Sequence, residues 1–260
     1  MKTIFLHDKT EIASVLRRNV FLHIYSIGDL DDFFWKYTTW YAFEQDEEVR
    51  AIVLLYTGLS LPTLVALSDD MPTMRSLLGS ALHLLPQRFY AHLSPGLEAV
   101  LEEAFRLTSH GEHYKMALRD RLALDVADTS AVVRLSEEDL EEILRLYEAS
   151  YPGNWFDPRM LETGQYFGIW GEEGLVSIAG VHVYSRAYRV AALGNITTHP
   201  DHRGRGLGRS VTAKLCTSLC EDVDHIGLNV KTDNRSAVSL YSSIRFEVIA
   251  SYGEYMVETR

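Results

Sequence analysis

Apolar positions along this chain recur at two spacings, and the switches between them mark out its elements. In the second half, Ala131–Leu135 reads as a strand and Ser136 as a helix cap, with Asp139 three residues on in a capping-box-like role. Leu140, Ile143, Leu144 and Tyr147 then make an apolar stripe at helical spacing. Tyr166–Trp170 and Leu175–Tyr184 flank Gly171-Glu-Glu-Gly174, a hairpin signal. Tyr188–Thr198 reads as a strand, Leu207–Cys220 as a helix, His225–Lys231 as a strand and Ser236–Ser243 as a helix. Phe246–Ile249 and Glu254–Val257 are the last strands. The order β-α-β-β-β-α-β-α-β-β is that of a mixed α/β sheet.

The first half repeats this order in faded form. Thr3–Leu6 reads as a strand and Glu11–Arg17 as a helix, and Trp40–Glu44 and Val49–Tyr56 form a hairpin around Gln45-Asp-Glu-Glu48. Thr63–Leu67 is a strand, Pro72–Leu85 a helix, Arg88–Leu93 a strand, Gly96–Phe105 a helix and His113–Leu118 a strand. Periodicity is lost over Asp120–Ser130, where cap and turn residues gather. Two tandem domains are expected, 1–124 and 131–260.

The chemistry is concentrated in His199-Pro-Asp-His-Arg-Gly-Arg-Gly-Leu-Gly-Arg209, between an apolar strand and a helix. Glycines let the backbone approach a ligand, and the first-turn N–H groups of a helix have no intrahelical acceptor. Those donors lie at the positive end of the helix dipole, a natural seat for phosphate. Arg203, Arg205 and Arg209 add charge-assisted hydrogen bonds. A dinucleotide loop is excluded, because Gly204, Gly206 and Gly208 are spaced two apart and Arg209 replaces the third glycine of G-x-G-x-x-G. No Lys-Ser or Lys-Thr follows a glycine as a Walker loop requires. Downstream, Asp233 or Asn234 caps a short helix whose Ala237, Leu240 and Tyr241 share one face.

Arg203-x-x-Gly206-x-Gly208 after a His-Pro turn resembles the acetyl-CoA pyrophosphate loop of the GNAT superfamily of N-acetyltransferases. Asn234 and Tyr241 match the family's helix-starting Asn and its Tyr seven residues on, which points at the cofactor sulfur. The matches span about 195–246, and the strand order extends the resemblance to about 131–260. Ile244-Arg245 departs from it, since the family usually has Gly before the Phe. The resemblance implies two tandem GNAT-like domains, each a mixed, mostly antiparallel sheet flanked by helices, with a short second helix within 151–164 where Asp157-Pro158 gives a start. It implies acetyl-CoA held by the splayed backbone of Ile196, Thr197 and Thr198 and by Arg203, Gly204, Arg205, Gly206, Leu207, Gly208, Arg209 and Asn234. Tyr241 then serves as general acid toward the departing thiolate in direct attack by an amine. The first copy lacks these features: Ser68-Asp69-Asp70 follows its strand without a glycine, and Leu101 stands where the second has Tyr241. That copy is expected not to bind acetyl-CoA and to wall the acceptor cleft.

The general base is not legible. The strands where the family often carries a Glu, Gly194-Asn195-Ile196-Thr197 and Leu228-Asn229-Val230, hold no carboxylate. His182, Glu148, His199, or a water held by Asn195 or Asn229 are the substitutes. The aromatics of Tyr151-Pro-Gly-Asn-Trp155-Phe156, where the family usually grips its acceptor, suit an apolar or planar amine or else close the core. His110-x-x-His113 and His199-x-x-His202 lack a carboxylate or thiol at metal-site spacing, so no metal is expected.

Composition narrows the setting. At 260 residues and 47% hydrophobic, the chain can bury one large or two modest cores. No apolar run approaches the roughly eighteen residues of a membrane span, and Met1–Asp8 does not read as a signal peptide. Cys216 and Cys220, four apart on one helix, are expected as small hydrophobes in a reducing cytoplasm. A net charge of -11 argues against nucleic acid and suits a cationic acceptor such as a polyamine, an aminoglycoside or a lysine side chain. A homodimer is left open. Two other functions fit the same residues: an N-acyltransferase using a longer acyl-CoA, like the glycine N-acyltransferases, and a non-catalytic acetyl-CoA-binding regulator.

Overall fold

The computed structural model describes residues 2–58, 60–121, 124 and 127–260, so part of the break expected over Asp120–Ser130 lies outside the described residues. The chain runs β1 (Lys2–Leu6), α1 (Lys9–Leu16), α2 (Ile24–Gly28), α3 (Asp32–Trp35), β2 (Thr38–Gln45), β3 (Glu48–Tyr56), β4 (Thr63–Ala66), α4 (Met71–Ala81), β5 (Arg88–Leu93), α5 (Glu98–Leu101) and β6 (Phe105–Leu118). It continues through β7 (Val133–Arg134), α6 (Leu140–Ser150), β8 (Phe167–Gly171), β9 (Gly174–Ser185), β10 (Val190–Thr198), α7 (Leu207–Asp222), β11 (His225–Lys231), α8 (Arg235–Ser243) and β12 (Phe246–Thr259).

Two compact units result. The first comprises residues 1–115, 231–233 and 248–260, and the second 116–230 and 234–247. This differs from a linear division at 124 and 131, because the end of the chain belongs with its beginning. In the first unit the strands lie in the order β1-β2-β3-β4-β5-β12-β6. Gly253 to Glu258 of β12 pair antiparallel with Leu93 to Arg88 of β5. One face of this sheet carries Phe89, Ala91, Leu93 and Val257 against Leu77 and Leu78 of α4 and Leu101 of α5, all buried. In the second unit the order is β11-β10-β9-β8-β7, antiparallel except for β10 against β11.

Several expectations are corrected. Residues 96–105 are not one helix: α5 covers only Glu98–Leu101, and Phe105 already begins β6. The outer part of β6 is exposed, so Arg106–Glu112 lacks the apolar alternation that marks a half-buried strand. Phe246–Ile249 and Glu254–Val257 are a single strand. Gly253, which looks like a turn residue, lies so close to the Tyr255 ring that a Cβ there would approach it to 2.5 Å. The Ala131–Leu135 strand shrinks to Val133–Arg134, and α2 and α3 were not anticipated. Leu144 is exposed; the buried stripe of α6 is Ile143, Leu146 and Tyr147. Ser136 and Asp139 do form a capping box, and Asp157 caps a 3-10 helix over Pro158–Thr163.

Candidate functional site

β10 pairs with β11 only at its start. Val190 to Leu193 stand opposite His225 to Leu228, and among the described residues the pairing goes no further. On its other side the ladder with β9 is broken twice. Ala192 faces Val183 while Leu193 faces Val181, so His182 is the extra residue on β9. Gly194 then faces Gly180 and Thr197 faces Ile178, so two residues of β10, Asn195 and Ile196, oppose Ala179 alone. Asn195 takes a φ of 55°. Ile196, Thr197 and Thr198 are thus strand residues with no β11 partner in these pairings, and Thr198 Oγ1 lies 2.9 Å from Ser177 Oγ.

Past His199 the chain makes one 3-10 turn, Pro200–His202, and enters the glycine loop. Gly204 and Gly206 have φ of 75° and 81°, which residues with a Cβ adopt only at a cost. A Cβ on either would meet nothing within 4 Å, so the glycines shape the backbone and leave open space beside it. Gly208 is different: a Cβ there would come within 2.9 Å of Leu240. Gly206 caps α7 without any side-chain hydrogen bond, and no acid stands in the first turn. The N–H groups of Leu207, Gly208 and Arg209 therefore face outward without intrahelical acceptors.

α4 of the first unit solves the same end differently. Asp70 caps it, accepting the Thr73 N–H at 3.2 Å and the Thr73 hydroxyl at 2.6 Å. A carboxylate already occupies that positive end, while the end of α7 stays available to an outside anion.

The three arginines fit such a guest. Arg203 Nε donates to the Thr198 carbonyl at 3.1 Å and Arg205 to the Asp201 carbonyl at 3.1 Å, both with exposed side chains. Among the described residues none of the three is ion-paired, and Arg209 Nε is buried with no hydrogen-bond partner. Open glycines, uncapped amides and an orphaned guanidinium donor suit a diphosphate.

Asn234 caps α8, accepting the Ala237 N–H at 3.2 Å. Tyr241, the buried residue of α8, lies 6.0 Å from the Phe246 ring. Burial, with the Tyr151 phenol and the Cys216 thiol nearby, pushes its pKa up, so it is a neutral proton donor. Tyr151 and Trp155 are exposed, whereas Phe156 packs at 5.2 Å from Tyr147 and 5.6 Å from Tyr166. Phe156 closes the core and its two neighbours face solvent.

Of the base candidates, Glu148 is exposed on α6. His199 Nδ1 accepts the Asp201 N–H at 3.4 Å. His182 Nε2 lies 3.1 Å from Asn195 Oδ1. His113 has a carboxylate neighbour remote in sequence, Glu254 at 3.6 Å. Among the described residues no group of three or more His, Cys, Asp or Glu is arranged to hold a metal ion, and no helix is long and apolar enough to cross a membrane. The left-handed Asn195 was not anticipated. Its signal was Gly194-Asn195 inside an apolar strand, a pairing that marks a bulge.

The fold is one shared with solved structures of GNAT acetyltransferases, a tandem GNAT protein among them. Residues 168–255 match the family model described as FR47-like protein. No curated protein matches the chain. Among solved structures, a tandem GNAT protein from the clavulanic acid biosynthesis pathway is similar at TM-score 0.60 and 14% identity over 98% of both chains. A GNAT-family acetyltransferase from Colwellia psychrerythraea is similar at TM-score 0.59 and 12% identity, each chain fully covered. A Drosophila protein is similar at TM-score 0.70 and 12% identity over 99% of this chain and 98% of its own. At such identities the likeness is one of fold.

Proposed function

We propose that the chain is an acetyl-CoA-dependent N-acetyltransferase whose second unit passes the acetyl group directly to a primary amine of a small molecule or peptide. The observation that carries this reading is the start of α7, where Gly206 leaves the helix uncapped beside open space. Acetyl-CoA supplies the activated acyl group. The amides of Leu207, Gly208 and Arg209, with Arg203, Arg205 and Arg209, hold its diphosphate. The backbone of Ile196–Thr198, on the side where β11 no longer pairs with it, pairs with its pantetheine arm and offers an N–H to the acyl oxygen. Asn234 fixes the start of α8, and Tyr241 gives its proton to the departing thiolate.

Binding both reactants side by side supplies much of the acceleration. A covalent enzyme intermediate is not needed: Cys216 is fully buried and its thiol is pushed up by that burial, which disfavours the thiolate a nucleophile requires. The first unit, with Asp70 capping α4 and Leu101 in its core, takes no acetyl-CoA in this scheme. The reaction runs in the cytoplasm, where both thiols stay reduced.

Calorimetry with acetyl-CoA followed by thiol release across a panel of amines tests the assignment; a chain without affinity for the thioester refutes it. Tyr241→Phe is expected to lower turnover by about 10²-fold or more while leaving acetyl-CoA affinity unchanged. Undiminished turnover would remove Tyr241 from the mechanism.

A further inference from the structure

We propose that His182 and Asn195 are linked positioning residues: they lock the bulges of β9 and β10 to each other and so keep the Ile196–Thr198 backbone available to the thioester. This rests on the function proposed above. The two bulges fall on neighbouring strands, separated by two ladder pairs, Leu193 with Val181 and Gly194 with Gly180. Each is ordinarily a local irregularity with its own preferred twist. Here a side-chain hydrogen bond joins them, His182 Nε2 donating to Asn195 Oδ1 at 3.1 Å.

Every polar group of Asn195 named in this web is committed. Its Nδ2 donates to Tyr166 Oη at 3.0 Å and to Met160 Sδ at 3.5 Å. Tyr166 in turn donates to the Val181 carbonyl at 3.0 Å, on the residue before the β9 bulge. The Asn195 carbonyl, turned out of the ladder, accepts the Tyr147 hydroxyl at 2.8 Å. Burial pushes both phenols up, so they remain donors across the physiological range. Asn195 is 3% exposed, and Asn tolerates a φ of 55° better than other residues that carry a Cβ. Gly194 completes the device, because a Cβ there would lie 2.3 Å from the His182 ring.

The Oδ1 of Asn195 can only accept, so His182 presents an N–H to it from Nε2. The imidazole thereby acts as a strut between strands, with Nε2 taken up by that bond. Its effect on catalysis runs through the backbone it holds.

The experiment compares full-length wild type with His182→Ala, His182→Gln, Asn195→Ala and Asn195→Gly. Acetyl-CoA affinity is read by calorimetry, kcat and KM by thiol release over pH 6–9, and folding by thermal unfolding. Gln keeps a donor near the position of Nε2, and Gly keeps the left-handed backbone. His182→Ala and Asn195→Ala are expected to weaken acetyl-CoA binding tenfold or more. His182→Gln is expected within about threefold of wild type, with the same pH profile, and Asn195→Gly in between. The proposal is overturned if all four bind acetyl-CoA like wild type. It is also overturned if His182→Gln binds normally yet loses turnover as fully as His182→Ala, since that marks proton transfer. A wild-type chain that does not bind acetyl-CoA overturns the functional reading and this inference together. An Ala variant that fails to fold leaves His182→Gln and Asn195→Gly to decide.

Discussion

Arg245 holds a φ of 66° at the turn into Phe246, the place where the resembling family usually has glycine. Its N–H still reaches the Ser242 carbonyl at 3.1 Å, so the turn is kept and the strain stays in the backbone. A Cβ in this region costs about 1–2 kcal/mol, partly offset by the greater freedom glycine has when unfolded. Arg245→Gly is therefore expected to stabilise the protein by about 0.5–1 kcal/mol, seen as a higher denaturant midpoint at unchanged slope. Lys115 is the second residue of consequence, a buried lysine. It is 2% exposed, with its nitrogen 5.0 Å from the Tyr25 ring centroid and 5.3 Å from that of Tyr252. Burial pushes its pKa down to about 7, against a weaker opposing pull from Glu254. Between pH 7 and the ordinary lysine range the unfolded chain holds a proton that the folded chain has released, so stability from this group rises with pH. Lys115→Met should abolish that rise and add about 1–3 kcal/mol at pH 6, measured by denaturant unfolding at pH 6, 8 and 9.5. Arg245 had one sign beforehand, a side chain where the resembling family has glycine, whereas Lys115 had none. The burial of an ammonium comes from neighbours brought together by the fold, and the local pattern around Lys115 carries no trace of it.

At the scale of elements, two helices that follow a strand end in opposite ways at their N-termini. Asp70 fills the start of α4 with the protein's own carboxylate, while Gly206 leaves α7 open. Arg203→Ala with Arg205→Ala is expected to weaken acetyl-CoA binding by about 1.5–3 kcal/mol for each charge-assisted bond lost. Calorimetry giving wild-type affinity would remove both arginines from the diphosphate site. This contrast could be read in advance, because capping is local chemistry written in a few adjacent residues. So could β5 and β11, whose expected limits, Arg88–Leu93 and His225–Lys231, match the observed ones. The extended β6 could not: its outer residues are exposed, and what makes them a strand is pairing with distant chain. The bulges of β9 and β10 lay between these cases, since Gly194-Asn195 hinted at an irregularity without revealing its twin at His182.

For the molecule as a whole, the return of residues 248–260 to the first unit matters most. They lie between β5 and β6 and bring Tyr252 and Val257 into the core, both fully buried. Glu254 comes with them and accepts the Tyr90 hydroxyl at 2.6 Å and that of Tyr252 at 2.7 Å. Removing 248–260 is expected to cost the first unit more than about 4 kcal/mol, the range of severe core losses. Hydrogen exchange in Arg88–Leu93 would then approach unprotected rates, and retained protection would show that the unit stands without its returning strand. Tandem repetition was legible from the repeated order of elements. The exchange of the last strand was not, because a strand's spacing of apolar residues does not name its partner.

That returning segment sets an order of events during synthesis. When residue 247 leaves the ribosome, the second unit already has all of its chain, whereas the first still lacks the piece that joins two of its strands. The half made earliest is thus the half completed last, and until then it carries two open sheet edges that a chaperone, or another nascent copy, could occupy.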